Sequence, residues 1–393
     1  MSLFKHVSTR QLRCETSLKA SLVTDLTTRH IPTLLKEREI SLRKTDKVFA
    51  SQWLDEKKVV CGTKSNELIV LGMLSDWSFS IPVLEGSPRS QIPECNCGIH
   101  SIEISPARTL LATSGQNPNN MAVYRLPTFD PVCVGEGHSD WIFSVEWIDD
   151  FHLATGSRDG SIALWCVQDP ANVSEDSSQF QLCIKSPANK LYSTLPQVYG
   201  KDKIRDLVYE KNTQTLISLS ARGFVHLWDM NTCQERSTFP MKYPVETVCL
   251  SLEKDNKLFA VGSQSHVSFY DPRSGAPVGY IGSPDPGAGV RSLTFRDLLL
   301  SVGTGFGSLF FFDMRAYEFL GHADSDAMIC FRSGKGWLRE EPQDPLEEYM
   351  IAHAVCRSNA IYTHCYDPTG TKLFAAGGPL SLAYYGNYAA LWE

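Results

Sequence analysis

An all-β chain closed into a ring of about seven blades is the fold this sequence predicts, and two observations predict it. The first is one stretch in the middle of the chain. Gly137-His138 precedes Trp141-Ile142-Phe143-Ser144-Val145-Glu146-Trp147, and His152-Leu153-Ala154-Thr155-Gly156-Ser157-Arg158-Asp159-Gly160-Ser161-Ile162-Ala163-Leu164-Trp165 follows. A Gly-His pair, an alternating strand, a Ser-x-Asp-Gly turn and a strand closing on Trp make up one nearly complete WD repeat. The second is that the frame recurs. Strands suited to line a central channel begin at Val48, Ile99, Ile142, Ile204, Val245, Val290 and Ile361. Each is followed by a strand ending in small residues, such as Cys61-Gly62-Thr63, Gly156-Ser157, Val261-Gly262-Ser263 and Val302-Gly303-Thr304. Period-2 alternation with regularly spaced turn signals argues for β structure throughout. A repeat of roughly 40–50 residues, about seven times over, argues for a WD-repeat β-propeller.

The elements follow in order. Residues 1–38 form an N-terminal tail ending in a short helical segment, His30-Ile31-Pro32-Thr33-Leu34-Leu35-Lys36-Glu37-Arg38. Pro32 suits a first helical turn, and Ile31, Leu34 and Leu35 share one face. Residues 39–393 form the propeller. The chain stops on a third strand at Leu391-Trp392-Glu393, so the last blade needs an outer strand from elsewhere. Glu39-Ile40-Ser41-Leu42-Arg43 alternates with period 2 and is expected to supply it, since a ring left open would expose an unpaired edge. A loop is expected over 169–202, and an insertion, looped and in part helical, over 323–358 between the sixth and seventh blades.

Composition narrows the function. The chain has 393 residues, 42% hydrophobic and 21% charged, enough apolar content for a large core. No apolar run reaches the ~18 residues of a membrane span, and the first residues lack a secretory apolar segment. An intracellular protein, cytoplasmic and nuclear, is expected. A net charge of −7 disfavours wholesale nucleic-acid binding. The twelve cysteines are scattered, and Cys95 and Cys97 lack the usual zinc spacing, so buried thiols and no metal are expected.

His138, Ser157 and Asp159 could be taken for a hydrolytic triad. The stronger reading is a hydrogen-bonded stack with Trp165 inside one blade, as buried polar groups require. No phosphate loop, nucleophile elbow, zinc-protease helix or dinucleotide fingerprint is present, and neither enzymatic activity nor a cofactor is expected. The basic residues say more. Lys64 and Arg158 hold the same turn position in two blades, and Arg205 and Arg291 hold the same position at the start of two channel strands. The matching positions elsewhere are Phe49, His100, Phe143, Glu246 and Tyr362. With Lys47 and Lys203 just outside, six cations should converge on one channel mouth as an anion site, against Asp140, Glu246 and Asp285 on the same face. On the opposite face, Asp271-Pro272-Arg273 and Asp313-Met314-Arg315 repeat an Asp-x-Arg turn in adjacent blades.

Lys36-Glu37-Arg38-Glu39, Lys47-Val48-Phe49-Ala50-Ser51-Gln52-Trp53-Leu54, Val60-Cys61-Gly62-Thr63-Lys64, Tyr124-Arg125-Leu126-Pro127-Thr128 and Tyr362-Thr363-His364-Cys365-Tyr366-Asp367 resemble the twelfth-member group of the WD-repeat DDB- and cullin-four-associated factors. The resemblance runs from about Leu34 to Trp392. It implies a substrate receptor of cullin-four RING ubiquitin ligases that docks on the adaptor damage-specific DNA-binding protein one. The adaptor contacts it implies are Ile31, Leu34, Leu35, Arg273 and Arg315, although Tyr270 and Phe312 stand before the Asp-x-Arg turns where the family has Trp. It also implies recognition of proteins ending in two acidic residues, typically Glu-Glu. The basic mouth fits that ligand independently. A WD scaffold outside any ligase and a binder of small anions are the competing expectations.

Overall fold

The structure is a computed structural model that describes residues 30–42, 44–75, 77–87, 97–167, 183–184, 202–253, 258–322, 327–339, 358–381 and 384–393. Seven antiparallel sheets succeed one another along the chain. The innermost strands are Val48–Asp55, Ile102–Ile104, Ile142–Trp147, Ile204–Glu210, Cys249–Leu252, Val290–Arg296 and Asn359–Tyr366. The expected β-propeller of seven blades is therefore the observed fold. In the second and fifth blades the strand starts three and four residues later than Ile99 and Val245, the expected first residues.

The small residues that close each second strand turn out to set the spacing between blades. A Cβ built on Gly62 would lie 2.3 Å from Ile99, one on Gly156 2.5 Å from Ile204, one on Gly262 2.7 Å from Val290 and one on Gly303 3.0 Å from Ile361. In each case glycine lets the β-branched residue opening the next blade press against the backbone. The cores lie between blades for the same reason. One cluster joins Ala112, Met121 and Val123 of the second blade to Val145, Trp147, Leu153 and Trp165 of the third. Gly160 holds φ at 81° in the turn between second and third strands, and Gly223 and Gly307 do so in the fourth and sixth blades at 76° and 81°. That region of φ suits glycine and few other residues.

The polar stack of the third blade forms with one change of member. His138 Nδ1 meets Asp159 at 3.2 Å and Ser161 Oγ at 3.0 Å, while Nε2 meets Thr155 Oγ1 at 2.7 Å. Trp165 Nε1 donates to the same Thr155 oxygen at 2.7 Å. Thr155 is thus the strand member. Ser157 instead donates to the Asp140 carbonyl and accepts from the Asp159 amide, which tightens the turn. Burial would raise the Asp159 carboxyl, but the hydrogen bonds from His138 and Ser161 outweigh it and hold the group well below the ordinary range.

The ring closes on the N-terminal segment, two residues upstream of the expected Glu39–Arg43. Glu37–Glu39 pairs with Gly386–Trp392 in the register Glu37↔Trp392, Arg38↔Leu391 and Glu39↔Ala390. The expected helix is a single turn, Ile31–Leu34. The described part of the insertion is not simply a loop. Cys330–Arg332 pairs with Ser308–Asp313 and completes the outer edge of the sixth blade, and Trp337–Leu338 pairs with Gly386–Trp392. Residues 323–326 and 340–357 of the insertion, and all but 183–184 and 202 of the expected 169–202 loop, lie outside the described residues, as do residues 1–29.

Candidate functional site

The channel mouth is built by a device that repeats around the ring. In five blades the register between first and second strands slips by one residue at the top, at Phe49, Phe143, Arg205, Arg291 and Tyr362. Each slip is a β-bulge, which leaves one residue out of the ladder and re-aims its side chain. These five, with His100 and Val248, line a cavity of about 500 Å³ at the head of the channel. In the fifth blade Cys249 pairs with Gly262, so Val248 holds the equivalent place. Glu246, expected there, lies two residues earlier and turns outward to Arg291.

The mouth has two unlike halves. Blades seven, one, two and three contribute a run of rings. Phe49 stacks on His100 at 4.6 Å and meets Tyr362 edge-on at 5.2 Å, and His100 meets Phe143 edge-on at 4.8 Å. Burial and the nearby Arg205 charge pull the His100 imidazole down to about 4, so it is neutral at physiological pH. The remaining arc carries Arg205, Val248 and Arg291.

Of the six cations expected at the mouth, three are held by acids on the rim. Lys64 pairs with Asp46 at 3.0 Å, Arg158 with Asp140 at 3.5 Å and Arg291 with Glu246 at 2.6 Å. Arg158 also lies over the Trp141 ring at 4.4 Å. Arg205 differs. It lies over the Phe143 ring at 4.9 Å, and among the described residues it has no ion pair, while its Nε is buried without a hydrogen-bond partner. Burial, then the like charges of Arg158 and Arg291, lower its pKa below the ordinary guanidinium value. Arg158 and Arg291 are thus both close enough for their charge to act on Arg205. Lys203 is half-buried just before Ile204. Lys47 does not belong to the mouth. Its side chain is 1% exposed, and its ammonium donates to Asp46 at 3.3 Å and to the Tyr384 carbonyl between the first and seventh blades. Desolvation there brings its pKa down to about 8.

Below the rings the channel wall carries three carboxyl groups that sequence reasoning missed: Glu103, Glu146 and Asp206. Glu103 and Glu146 sit between apolar neighbours on innermost strands, and a carboxylate in such a core-like strand was the available signal; Asp206 sits between Arg205 and Leu207.

The residues expected to meet an adaptor lie on the opposite face. Each blade runs first strand down, second up and third down, so the third-to-fourth turns lie opposite the mouth. Arg273 closes on its own Asp271 through two hydrogen bonds of 3.1 and 3.0 Å and is 68% exposed. Arg315 lies 3.7 Å from Asp313. Glu37–Glu39 serves as the fourth strand of its blade, so the helical turn before it opens on this face too. Leu34 is 71% exposed there, whereas Leu35 packs against the core shared by the sixth and seventh blades. The side chain of Ile31 lies outside the described residues.

Fold and mouth together define a WD-repeat β-propeller whose distinctive surface is a charged channel opening. More narrowly, the chain belongs to the DDB1- and CUL4-associated factor 12 beta-propeller family, whose model matches residues 31–393. It is also similar to a guanine nucleotide-binding protein subunit beta of Saccharomyces cerevisiae, 24% identical over 262 residues, which are 65% of this chain and 55% of that protein. It is similar to DDB1- and CUL4-associated factor 10 of Xenopus laevis and of Xenopus tropicalis, each 24% identical over 35% of this chain and 26% of the relative. The chain thus spans about half the length of the first of these relatives and a quarter of the other two.

Proposed function

We propose that this propeller is a non-catalytic substrate receptor of a cullin-four RING ubiquitin ligase, and that its mouth binds proteins ending in two acidic residues. The family and the names of the factor 10 relatives support the receptor reading. The observation that supports the ligand reading is Arg205, a cation at the head of the channel that has no ion pair among the described residues and feels the like charges of Arg158 and Arg291. A chain ending in Glu-Glu offers three carboxylates within two residues. Charge-assisted hydrogen bonds contribute about 1.5–3 kcal/mol each. A few of them, offset by the cost of ordering a flexible tail, give affinities in the micromolar range. An internal Glu-Glu lacks the terminal carboxylate and has to leave the narrow mouth in both directions. A peptide ending in Glu-Glu is therefore expected to bind, and amidating its C-terminus to weaken it at least tenfold, measured by fluorescence anisotropy. Equal binding of both peptides counts against the chain-end reading and favours a general anion site.

Docking on the damage-specific DNA-binding protein one adaptor falls to the other face, through Leu34 and the turns of Arg273 and Arg315. Leu34 is the residue to change, because Leu35 is part of the core and its loss would damage the propeller. Burying a leucine is worth about 1.5–3 kcal/mol. Leu34→Asp is expected to weaken co-purification with the adaptor at least tenfold while the melting temperature stays put. Full retention of the adaptor would place the docking surface elsewhere.

A further inference from the structure

We propose that Glu103 and Glu146, on the channel wall beneath the arginines, take part in the chain-end pocket as protonated acids, so that an acidic C-terminus binds more tightly while this floor keeps its protons. The inference rests on the chain-end reading above and adds the floor to it.

The geometry divides the three floor carboxyls into two kinds. Asp206 is fixed as an anion by three donors: Ser144 Oγ at 2.9 Å and the Leu207 amide at 2.9 Å on one oxygen, and the Leu250 amide at 2.7 Å on the other. Glu103 accepts one hydrogen bond, from Gln52 Nε2 at 2.7 Å, and Glu146 accepts one, from the Tyr209 amide at 3.1 Å. Carboxylates crowded into one narrow channel do not all ionise together, and the proton stays on the group with fewest donors. Asp206 keeps the charge, and the two glutamates keep protons. Desolvation, with the neighbouring carboxylates, pushes Glu103 up to about 8 and Glu146 upward as well. Asp206 rises only to about 6, because its three donors oppose the burial.

All three groups line the same cavity as Arg205 and Arg291. An anion held at the arginines would therefore share one cavity with the floor acids. With the glutamates neutral, the arginine charge is available to the ligand and the two O–H groups add donors below it. With them ionised, the floor repels the ligand and competes for the arginines. The sign follows: affinity falls as pH rises through the glutamate pKa, because the complex holds more protons than the free partners.

The other groups facing the glutamates do not titrate in this interval. His100 and His364 are desolvated to about 4 and about 3 and stay neutral. His364 is 4% exposed and holds Ser292 at 2.8 Å through Nδ1. Burial raises the thiols of Cys249 and Cys365 and the phenols of Tyr209 and Tyr362. Guanidinium groups do not titrate in this range. Lys47, whose burial brings it down to about 8, lies outside the cavity.

The experiment measures binding of a peptide ending in Glu-Glu from pH 6.5 to 9 at fixed ionic strength. Its own carboxyls are ionised throughout. Between pH 7 and 9 affinity is expected to fall about tenfold for one proton taken up. The doubly substituted protein, Glu103→Gln with Glu146→Gln, keeps neutral groups of the same shape and is expected to bind with no such fall. Calorimetry of the unsubstituted protein at pH 8, in two buffers of different ionisation enthalpy, is expected to register proton uptake, and this arm stands even if the double variant fails to fold. Binding that is flat with pH, a fall that persists in the double variant, or zero uptake overturns the inference alone. A peptide that binds at no pH overturns the chain-end reading and this inference with it.

Discussion

Arg205→Glu is expected to abolish binding of a peptide ending in Glu-Glu and to leave the fold intact. Arg205 projects from a β-bulge, outside the ladder between Ile204–Glu210 and Thr215–Ser220, and among the described residues no acid is paired with it. Reversal therefore breaks no ion pair among the described residues, although it turns the attraction of Asp202 into repulsion. It removes one or two charge-assisted hydrogen bonds, about 1.5–3 kcal/mol each, and sets a like charge against the ligand. The loss should reach about a hundredfold or more, since each 1.4 kcal/mol is roughly tenfold. Arg291→Glu should also remove binding, but it leaves Glu246 facing a second carboxylate and so disturbs the rim. The comparison is informative, because equal losses with unequal melting temperatures would show that the ligand meets both arginines while the rim needs only one. Retained binding in both variants, with adaptor co-purification unchanged, would move the site away from the mouth.

The second large effect is on stability. A chain beginning at Ser41 is expected to melt far below the full chain and to self-associate. The closing segment makes more than its short ladder. Lys36 and Glu393 exchange backbone hydrogen bonds of 3.0 and 3.1 Å, and the Ile40 amide reaches the Ala389 carbonyl at 2.8 Å. Glu37 accepts from the Tyr388 hydroxyl at 2.6 Å. Arg38 pairs with Glu393 at 3.0 Å and donates to the Met73 carbonyl of the first blade at 2.6 Å, which ties the two ends of the ring across the joint. At about 0.5–1.5 kcal/mol net for each backbone bond, the loss is on the order of 3–6 kcal/mol, or about 10 °C or more in Tm. The end of Gly386–Trp392 beyond its pairing with Trp337–Leu338 is left bare and offers an open edge to other copies. Coincident melting curves for the two chains would show that the ring does not depend on this clasp.

Much of this is legible in the sequence, and the reason is repetition. A Gly-x pair closing a second strand has to recur wherever a β-branched residue of the next blade presses on it, so Gly62, Gly156, Gly262 and Gly303 mark four blade junctions by their spacing alone. The aligned positions of Arg205 and Arg291 can be read for the same reason. What cannot be read depends on distant partners or on one-residue shifts. Lys47 looks like Lys203 in sequence, but its burial is decided by Tyr384, 337 residues away. In the fifth blade Val245, Val248 and Leu250 offer two apolar frames, and the left-handed turn at Glu246, φ 52°, decides between them. The floor acids are hidden because alternation assigns their positions to the channel wall without saying that three would face one another.

The bulges at the mouth bear on how such a surface could change. A side chain in a regular ladder is answerable to its cross-strand neighbours and to the core behind it. The residue at a bulge is answerable to neither. The five bulge positions, with His100 and Val248 just ahead of their strands, therefore behave as an exchangeable alphabet written on a fixed ring. A rim of four rings and two arginines could be rewritten for another class of chain end by substitutions at Phe49, His100, Phe143, Arg205, Val248, Arg291 and Tyr362 alone, with the interblade glycine contacts and the clasp untouched.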